Sequence, residues 1–159
     1  MHTFTDNTGK IWSISVNVAA IKRVRALCGV DLTSIIDIDD EGKPTASLLD
    51  KISSDPVLLV DILYAVCKPE ADQNGISDEL FGAHILGDVI TNATNALLDE
   101  VVDFFPVSKR RVLQQLLKLT RRFEEKIANE AINAFSEENM EKVQKELNKL
   151  FGSAPESAV

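Results

Sequence analysis

The segment Pro56–Cys67 constrains the fold more than any other part of this chain of 159 residues. It reads PVLLVDILYAVC, and only Asp61 and Tyr64 in it offer clearly polar atoms. Asp55 is a good N-cap, and proline suits the first position of a helix. A helix without a polar face is buried on most sides. The sequence therefore predicts a helix at the centre of a helical core, with Leu59 and Leu63 buried.

The segments around this helix have helical patterns too. A helix is expected from the cap Asn17 to Gly29, with the apolar stripe Val18, Ile21, Val24, Leu27 and Cys28. After a polar loop over residues 68–75 that contains Pro69, Ser77 caps another helix. The pattern leaves open whether that helix ends at Gly87. Helical spacing continues up to Pro106 through Leu86, Ile90, Ala93, Leu97, Val101 and Phe105.

The N-terminal residues predict a β-hairpin. Thr3–Thr5 and Lys10–Ile14 are strand-like, and Asp6–Gly9 between them has turn residues. A two-stranded hairpin is marginal alone, so Phe4, Trp12 and Ile14 are expected to pack on a helix. Residues 31–44 are predicted to be irregular or to form a short helix, and to end in an acidic turn. Residues 45–53 are predicted to form a short helix.

The C-terminal part predicts two amphipathic helices. Ser108 is expected to cap a long helix reaching about Phe135, and Ser136 to begin a last one. The long helix has the stripe Val112, Leu116, Leu119, Phe123, Ile127, Ala131 and Ala134, and the last has Met140, Val143, Leu147 and Leu150. The last helix either folds back on the long helix or docks a partner helix through its apolar face.

The fold class that follows is mainly α, with a small N-terminal β-hairpin packed on a helical bundle and a long C-terminal helical hairpin or arm. Residues 1–107 are expected to form the hairpin and helical core, residues 108–151 the arm of the same domain, and residues 152–159 a disordered tail.

Charge is distributed unevenly. The chain has a net charge of −8, which argues against a nucleic-acid or anionic-membrane binder. Residues 109–126 nevertheless contain seven basic and two acidic side chains. Three interpretations remain open for this basic cluster: neutralisation of the molecule's own acidic surface, an acidic protein partner, or nucleic acid. Nucleic acid is the weakest of them, because no aromatic residues interleave with the cluster.

Signatures of catalysis and of metal binding are missing from the sequence. His2 and His84 have no partner at metal-ligand spacing, and no Gly-rich loop follows a strand. Residues 37–48 partly match a calcium loop, but Leu48 stands where a bidentate glutamate is needed. Cys28 and Cys67 read as free structural thiols. We expect no cofactor, no metal and no enzymatic activity.

Several stretches together resemble a family of small phage proteins. They are FTDNTGKIWSISVNVAAIKRVRALCGVDL, SDPVLLVDILYAVCKP, GISDELFGAHILGDVI and LLDEVVDFFP, within roughly residues 4–135. The family is that of tail assembly chaperones, encoded between the tail tube and tape-measure genes of long-tailed phages. The resemblance implies a non-enzymatic factor that coats the tape-measure protein and recruits tail tube subunits. Such chaperones often exist also in a frameshift-extended form. The resemblance transfers no site residues.

The sequence thus predicts a phage tail assembly chaperone in the host bacterial cytoplasm, since no secretory signal or membrane-spanning segment is found. Its partners would be the tape-measure and tail tube proteins, with self-association possible. The alternatives are a structural virion component, such as a tail completion or connector protein, and a regulatory protein- or DNA-binding factor. The hypothesis for the partner-binding surface names residues of the arm: Arg121, Arg122, Val143, Leu147 and Leu150.

Overall fold

The computed structural model describes residues 1–35, 37–38, 40–41, 44–45 and 48–152. Its strands are β1 (His2–Thr5), β2 (Ile11–Ile14), β3 (Asp37–Ile38) and β4 (Pro44–Thr45). Its helices are α1 (Val18–Cys28), α2 (Leu48–Ser54), α3 (Pro56–Gln73), α4 (Asp78–Ala83), α5 (Asp88–Phe104), α6 (Val107–Ala134) and α7 (Glu137–Phe151). The chain divides into two compact units, Met1–Val112 and Leu113–Val159. The fold is mainly α with an N-terminal hairpin, as the sequence predicts.

Helix α3 is the centre of the first unit. It packs against α1, α2, α4, α5 and β2. Leu59 and Leu63 are buried, which confirms the prediction from the missing polar face. The cap is confirmed as well, because the Asp55 side chain accepts a hydrogen bond from the backbone N–H of Leu58 and Pro56 occupies the first turn.

The prediction that this helix ends at Cys67 is wrong, because α3 runs through Pro69 to Gln73. A proline inside a helix cannot bond the carbonyl four residues earlier, which here belongs to Ala65. The Arg23 guanidinium of α1 replaces that donor, with Nη1 lying 3.2 Å from the Ala65 oxygen and 3.5 Å from the Val66 oxygen. A side chain from another helix therefore satisfies the backbone group that the proline leaves open.

The N-terminal hairpin forms as predicted. Strands β1 and β2 pair antiparallel, with Phe4 opposite Trp12, and the hairpin packs on α5 and α3. Phe4, Trp12 and Ile14 are buried. The Trp12 ring meets Phe81 of α4 edge to face, at a centroid distance of 4.8 Å. The hairpin is thus held by its apolar face, as its marginal stability in isolation requires.

The hairpin turn is held by the buried carboxylate of Asp6. Its Oδ1 accepts from the backbone N–H of Thr8 at 2.8 Å, the Thr8 hydroxyl at 2.6 Å and the Lys10 N–H at 3.0 Å. Its Oδ2 accepts from the Trp12 indole N–H at 2.8 Å. Burial alone would raise the pKa of Asp6, but these hydrogen bonds outweigh it and lower the pKa.

Helix α1 has the predicted caps but a different buried face. The Asn17 side chain accepts from the Ala20 N–H, and Gly29 ends the helix with a φ of 67°. The buried residues are Ala20, Ile21 and Val24, whereas Val18 and Leu27 of the predicted stripe are exposed. These two lie in the first and last turns, where helical spacing alone does not show whether a neighbour covers the face.

The boundaries elsewhere differ in detail from the predictions. Ser77 caps α4 through the Leu80 N–H, and α5 starts at Asp88 after Gly87, whose φ of 62° breaks the helix. Leu86, at this break, is exposed, whereas Ala93, Leu97, Val101 and Phe105 are buried. The predicted 45–53 helix begins only at Leu48, because Thr45 pairs with Asp37 in a short ladder.

Some predictions fall on undescribed positions. The calcium-loop comparison rests partly on Asp39 and Gly42, which lie outside the described residues, as do residues 153–159 of the expected tail.

Ser108 is not the cap of α6, since the helix already includes Val107 and the Arg110 N–H bonds the Pro106 carbonyl. Proline at the cap position leaves Ser108 inside the first turn.

Candidate partner-binding surface

Helix α7 exposes its entire apolar face. Its first turn contains Glu137 and Glu138 and its last turn Lys149, which suits the helix dipole. The apolar side chains have exposed fractions between 43% and 82%, and they are Met140, Val143, Leu147, Leu150 and Phe151. Spacings of three and four place the first four on one side of the helix. The predicted residues Val143, Leu147 and Leu150 are therefore brought together on an open surface.

Helix α6 contributes a second open stripe. Four large side chains of the predicted stripe are exposed, namely Val112, Leu119, Phe123 and Ile127, whereas Leu116 is half-buried. The buried residues of α6 are Leu113 and Leu117 instead. A helix advances 100° per residue, so this buried pair lies beside the stripe and not on it. The partner-binding residues predicted from the sequence do not include this stripe. Its helical spacing is present in the sequence, but spacing does not show whether a helix face is exposed.

The two helices do not fold back on each other. Within the part of the chain that the structure describes, α7 makes no packing contact along α6. Each apolar face is therefore uncovered in its own right, and of the two predicted forms the C-terminal region has that of an arm.

Arg121 and Arg122 do not form one cluster. Consecutive helical residues point about 100° apart, and here Arg122 is exposed while Arg121 is half-buried and has interactions of its own. Arg122 instead lies on one edge of the α6 stripe, with three further exposed cations spaced seven and four residues apart. The four are Arg111, Lys118, Arg122 and Lys126. The stripe thus has a basic edge.

Two cations at the start of α6 have structural roles. Lys109 Nζ lies 4.1 Å from the centroid of the Phe105 ring. Arg110 donates to the carbonyl oxygen of Asp103 at 2.8 Å and to that of Phe105 at 3.1 Å, which caps the C-terminus of α5. Lys109 and Arg110 of the basic cluster thus contact the end of α5.

One group of side chains has the composition of a metal site. Ligand atoms of His2, Glu100 and Asp103 lie within 4.8 Å of one another. A hydrogen bond and an ion pair account for the arrangement: His2 Nε2 is 3.1 Å from Asp103 Oδ2, and the Met1 amino group is 3.3 Å from Glu100 Oε2. The His2 backbone N–H also donates to Glu100 at 3.0 Å. The group joins β1 to α5.

The thiols are poor nucleophiles. Both cysteines are free, as the sequence predicts. Burial, with the negative charge of Glu70 adding to it, raises the pKa of Cys67 to about 12. Burial and the charges of Asp61 and Asp78 raise the pKa of Cys28 as well. Since the thiolate is the reactive form, neither environment favours nucleophilic catalysis.

Comparison with known proteins leaves the chain without a match: no protein-family model, no curated protein and no solved structure is similar to it. Among the described helices, none combines the length and the apolar character needed to cross a membrane.

Proposed function

We propose that the chain is a non-enzymatic tail assembly chaperone of a long-tailed phage. Its arm, α6 and α7, binds the tape-measure protein and helps to recruit tail tube subunits in the cytoplasm of the host bacterium. The supporting observation is the pair of uncovered apolar helix faces. Contiguous exposed apolar surface is unusual on a monomeric protein and is typical of protein-binding sites.

The exposed apolar face of the arm fits an apolar helical client. An amphipathic client helix can lay its apolar side along Val143, Leu147 and Leu150, as helices do in hydrophobic grooves. Because Val143 and Leu147 are already more than half covered, completing the burial of such a side chain would contribute roughly 1 kcal/mol before the costs of association. The basic edge around Arg122 favours acidic segments of the same client through electrostatic steering.

Co-expression with the tape-measure protein tests the proposal, with the fraction of client in the supernatant as the readout. The variant Leu147→Asp/Leu150→Asp should lose the client, because it places charge on the apolar face of α7. The matched control is Gln144→Asp/Asn148→Asp, which adds the same charge to the same helix but spares the four apolar positions. It should keep the client in solution.

The basic residues are tested in the same assay. Arg121→Glu/Arg122→Glu should reduce the recovered client, whereas Lys142→Glu/Lys145→Glu, an equal charge reversal on the polar side of α7, should not. Circular dichroism checks that each variant keeps its helix content. If client solubility survives both arm variants, the arm is merely structural and the binding surface must be sought near the N-terminal hairpin. If the protein is found at fixed copy number in purified tails, the proposed function is wrong.

A further inference from the structure

A cleft of about 340 Å³ lies on the first unit, between α3 and the region of α4 and the start of α5. Its walls are mostly aliphatic and belong to Pro56, Val57, Val60, Gly82, Ile85 and Ile90. Val57 is 68% exposed although it lies on the most apolar helix of the chain. The side of α3 that faces this cleft is thus not covered by the described residues at Val57, and Val60 beside it is only half-buried.

Two carboxylates belong to the same cleft. Asp61 of α3 and Asp78 of α4 line it, and neither forms an ion pair or a side-chain hydrogen bond with any part of the chain that the structure describes. Burial raises the pKa of Asp61, and the negative charges of Asp78 and Asp55 raise it further. The cleft therefore concentrates negative charge on an apolar floor, and among the described residues no cationic side chain pairs with it; the N-terminus of α4 offers Asp78 only a partial positive charge.

The lining restricts what can bind. All of its residues belong to helices or to the turn between α4 and α5, so the cleft presents side chains and no strand edge to which an extended peptide could add. Aliphatic walls favour aliphatic side chains, and two uncompensated carboxylates favour a cation. Residues 1–108 have seven basic and seventeen acidic side chains, which adds a long-range attraction for a basic ligand.

We propose that this acidic cleft docks a cationic amphipathic helix of a partner protein, with aliphatic side chains against Val57, Val60 and Ile90. A lysine or arginine of the helix lies between Asp61 and Asp78. The arm prefers acidic segments and the cleft prefers basic ones, so the two surfaces select different sequences. This inference does not rest on the proposed function, and the arm can be altered without touching the cleft.

The probe is a fluorescently labelled synthetic helix, alanine-based, with leucines four residues apart and two lysines on the flank of the leucine face. A second peptide has glutamates in place of the lysines. Fluorescence anisotropy at low ionic strength should detect binding of the lysine peptide to the full chain. The glutamate peptide should bind at least about tenfold more weakly, and added salt should weaken the lysine complex.

Protein variants locate the site. Asp61→Asn/Asp78→Asn should weaken the lysine peptide about tenfold or more. Glu79→Gln/Asp88→Asn removes the same charge from neighbouring helix starts that do not line the cleft, and it should leave affinity within about twofold. Circular dichroism and the unfolding midpoint confirm that both variants are folded.

Two substitutions at Gly82 test the binding site independently, by steric means. A Cβ at Gly82 would meet only Val60 Cγ1, at 3.8 Å, which is ordinary contact. Gly82→Ala should therefore fold and retain binding, while Gly82→Leu fills the cleft and should abolish it. The proposal is overturned if the lysine peptide fails to bind, if the glutamate peptide binds equally well, or if the Asp61/Asp78 and Gly82→Leu variants retain full affinity. Leu147→Asp/Leu150→Asp should not change peptide binding, which separates this test from that of the arm.

Discussion

The contact between Arg23 and the proline-broken turn of α3 predicts a measurable coupling between two residues far apart in sequence. Arg23→Met keeps most of the aliphatic stem but removes the donor 3.2 Å from the Ala65 carbonyl. Loss of a charged hydrogen bond to the carbonyl of a buried residue should lower the free energy of unfolding by about 1.5–3 kcal/mol. Lys22→Met, at the exposed neighbouring cation, is the matched control and should change it by less than about 0.5 kcal/mol.

Pro69→Ala is the second single variant of a double-mutant cycle with Arg23→Met. Proline in a helix interior costs about 3 kcal/mol relative to alanine. Part of this cost is already offset by the Arg23 bond, and proline also restricts the unfolded chain by about 0.4–1 kcal/mol. The substitution should therefore stabilise the protein by no more than about 1 kcal/mol, the remainder after those two offsets.

The double variant is the decisive measurement. In the Pro69→Ala background the new N–H can bond the Ala65 carbonyl, so Arg23→Met should cost less than about 1 kcal/mol there. Urea unfolding followed by circular dichroism gives all four free energies by linear extrapolation. An Arg23→Met cost that is equal in both backgrounds within about 0.5 kcal/mol would refute the claim that Arg23 replaces the missing donor.

Three further predictions concern the core, the hairpin and metal binding. Leu63→Ala should lower stability by about 2–5 kcal/mol, because Leu63 is fully buried, and an unchanged unfolding midpoint would contradict its central position. Asp6→Asn should cost about 1.5–3 kcal/mol at neutral pH, since the amide cannot serve all four donors. The pKa of Asp6 is lowered from 3.8, so its contribution is present above pH 4 or so and is lost as the pH falls through the folded value. The difference between Asp6→Asn and the parent should therefore shrink in acid, and a constant difference would argue against the ionised acceptor. Millimolar calcium should leave the melting temperature unchanged, whereas a rise of several degrees would reveal a site that stabilises the native state.

The sequence predicted the features that depend on neighbouring residues. Asn17, Asp55 and Ser77 cap their helices with side-chain hydrogen bonds, because a cap is a relation between residues three positions apart. The position of α3 also followed from its composition alone. Continuation through Pro69 did not, since the donor that allows it comes from Arg23, separated from Ala65 by 42 positions.

Exposure of the arm could be predicted only in part. Helical spacing identified the apolar faces of α6 and α7, but spacing is the same whether a face is covered or open. The structure places Leu113 and Leu117 in the buried part of α6 and leaves Leu119 and Phe123 exposed. The cleft gave no local signal at all, because Asp61 and Asp78 belong to different helices and only packing places them on one surface.

The two proposed surfaces have opposite charges, so they would bind different segments of a long client. The α6 stripe has a basic edge at Arg122 and its neighbours, and the cleft has Asp61 and Asp78 without a counter-charge. The two proposed surfaces therefore select different segments of a client, acidic ones at the arm and basic ones at the cleft. When two sites on one chain bind one client, the second contact is intramolecular, so weak sites combine into a much tighter complex. Under the proposed function, two separate contacts of modest affinity can also be released one at a time as subunits assemble around the client.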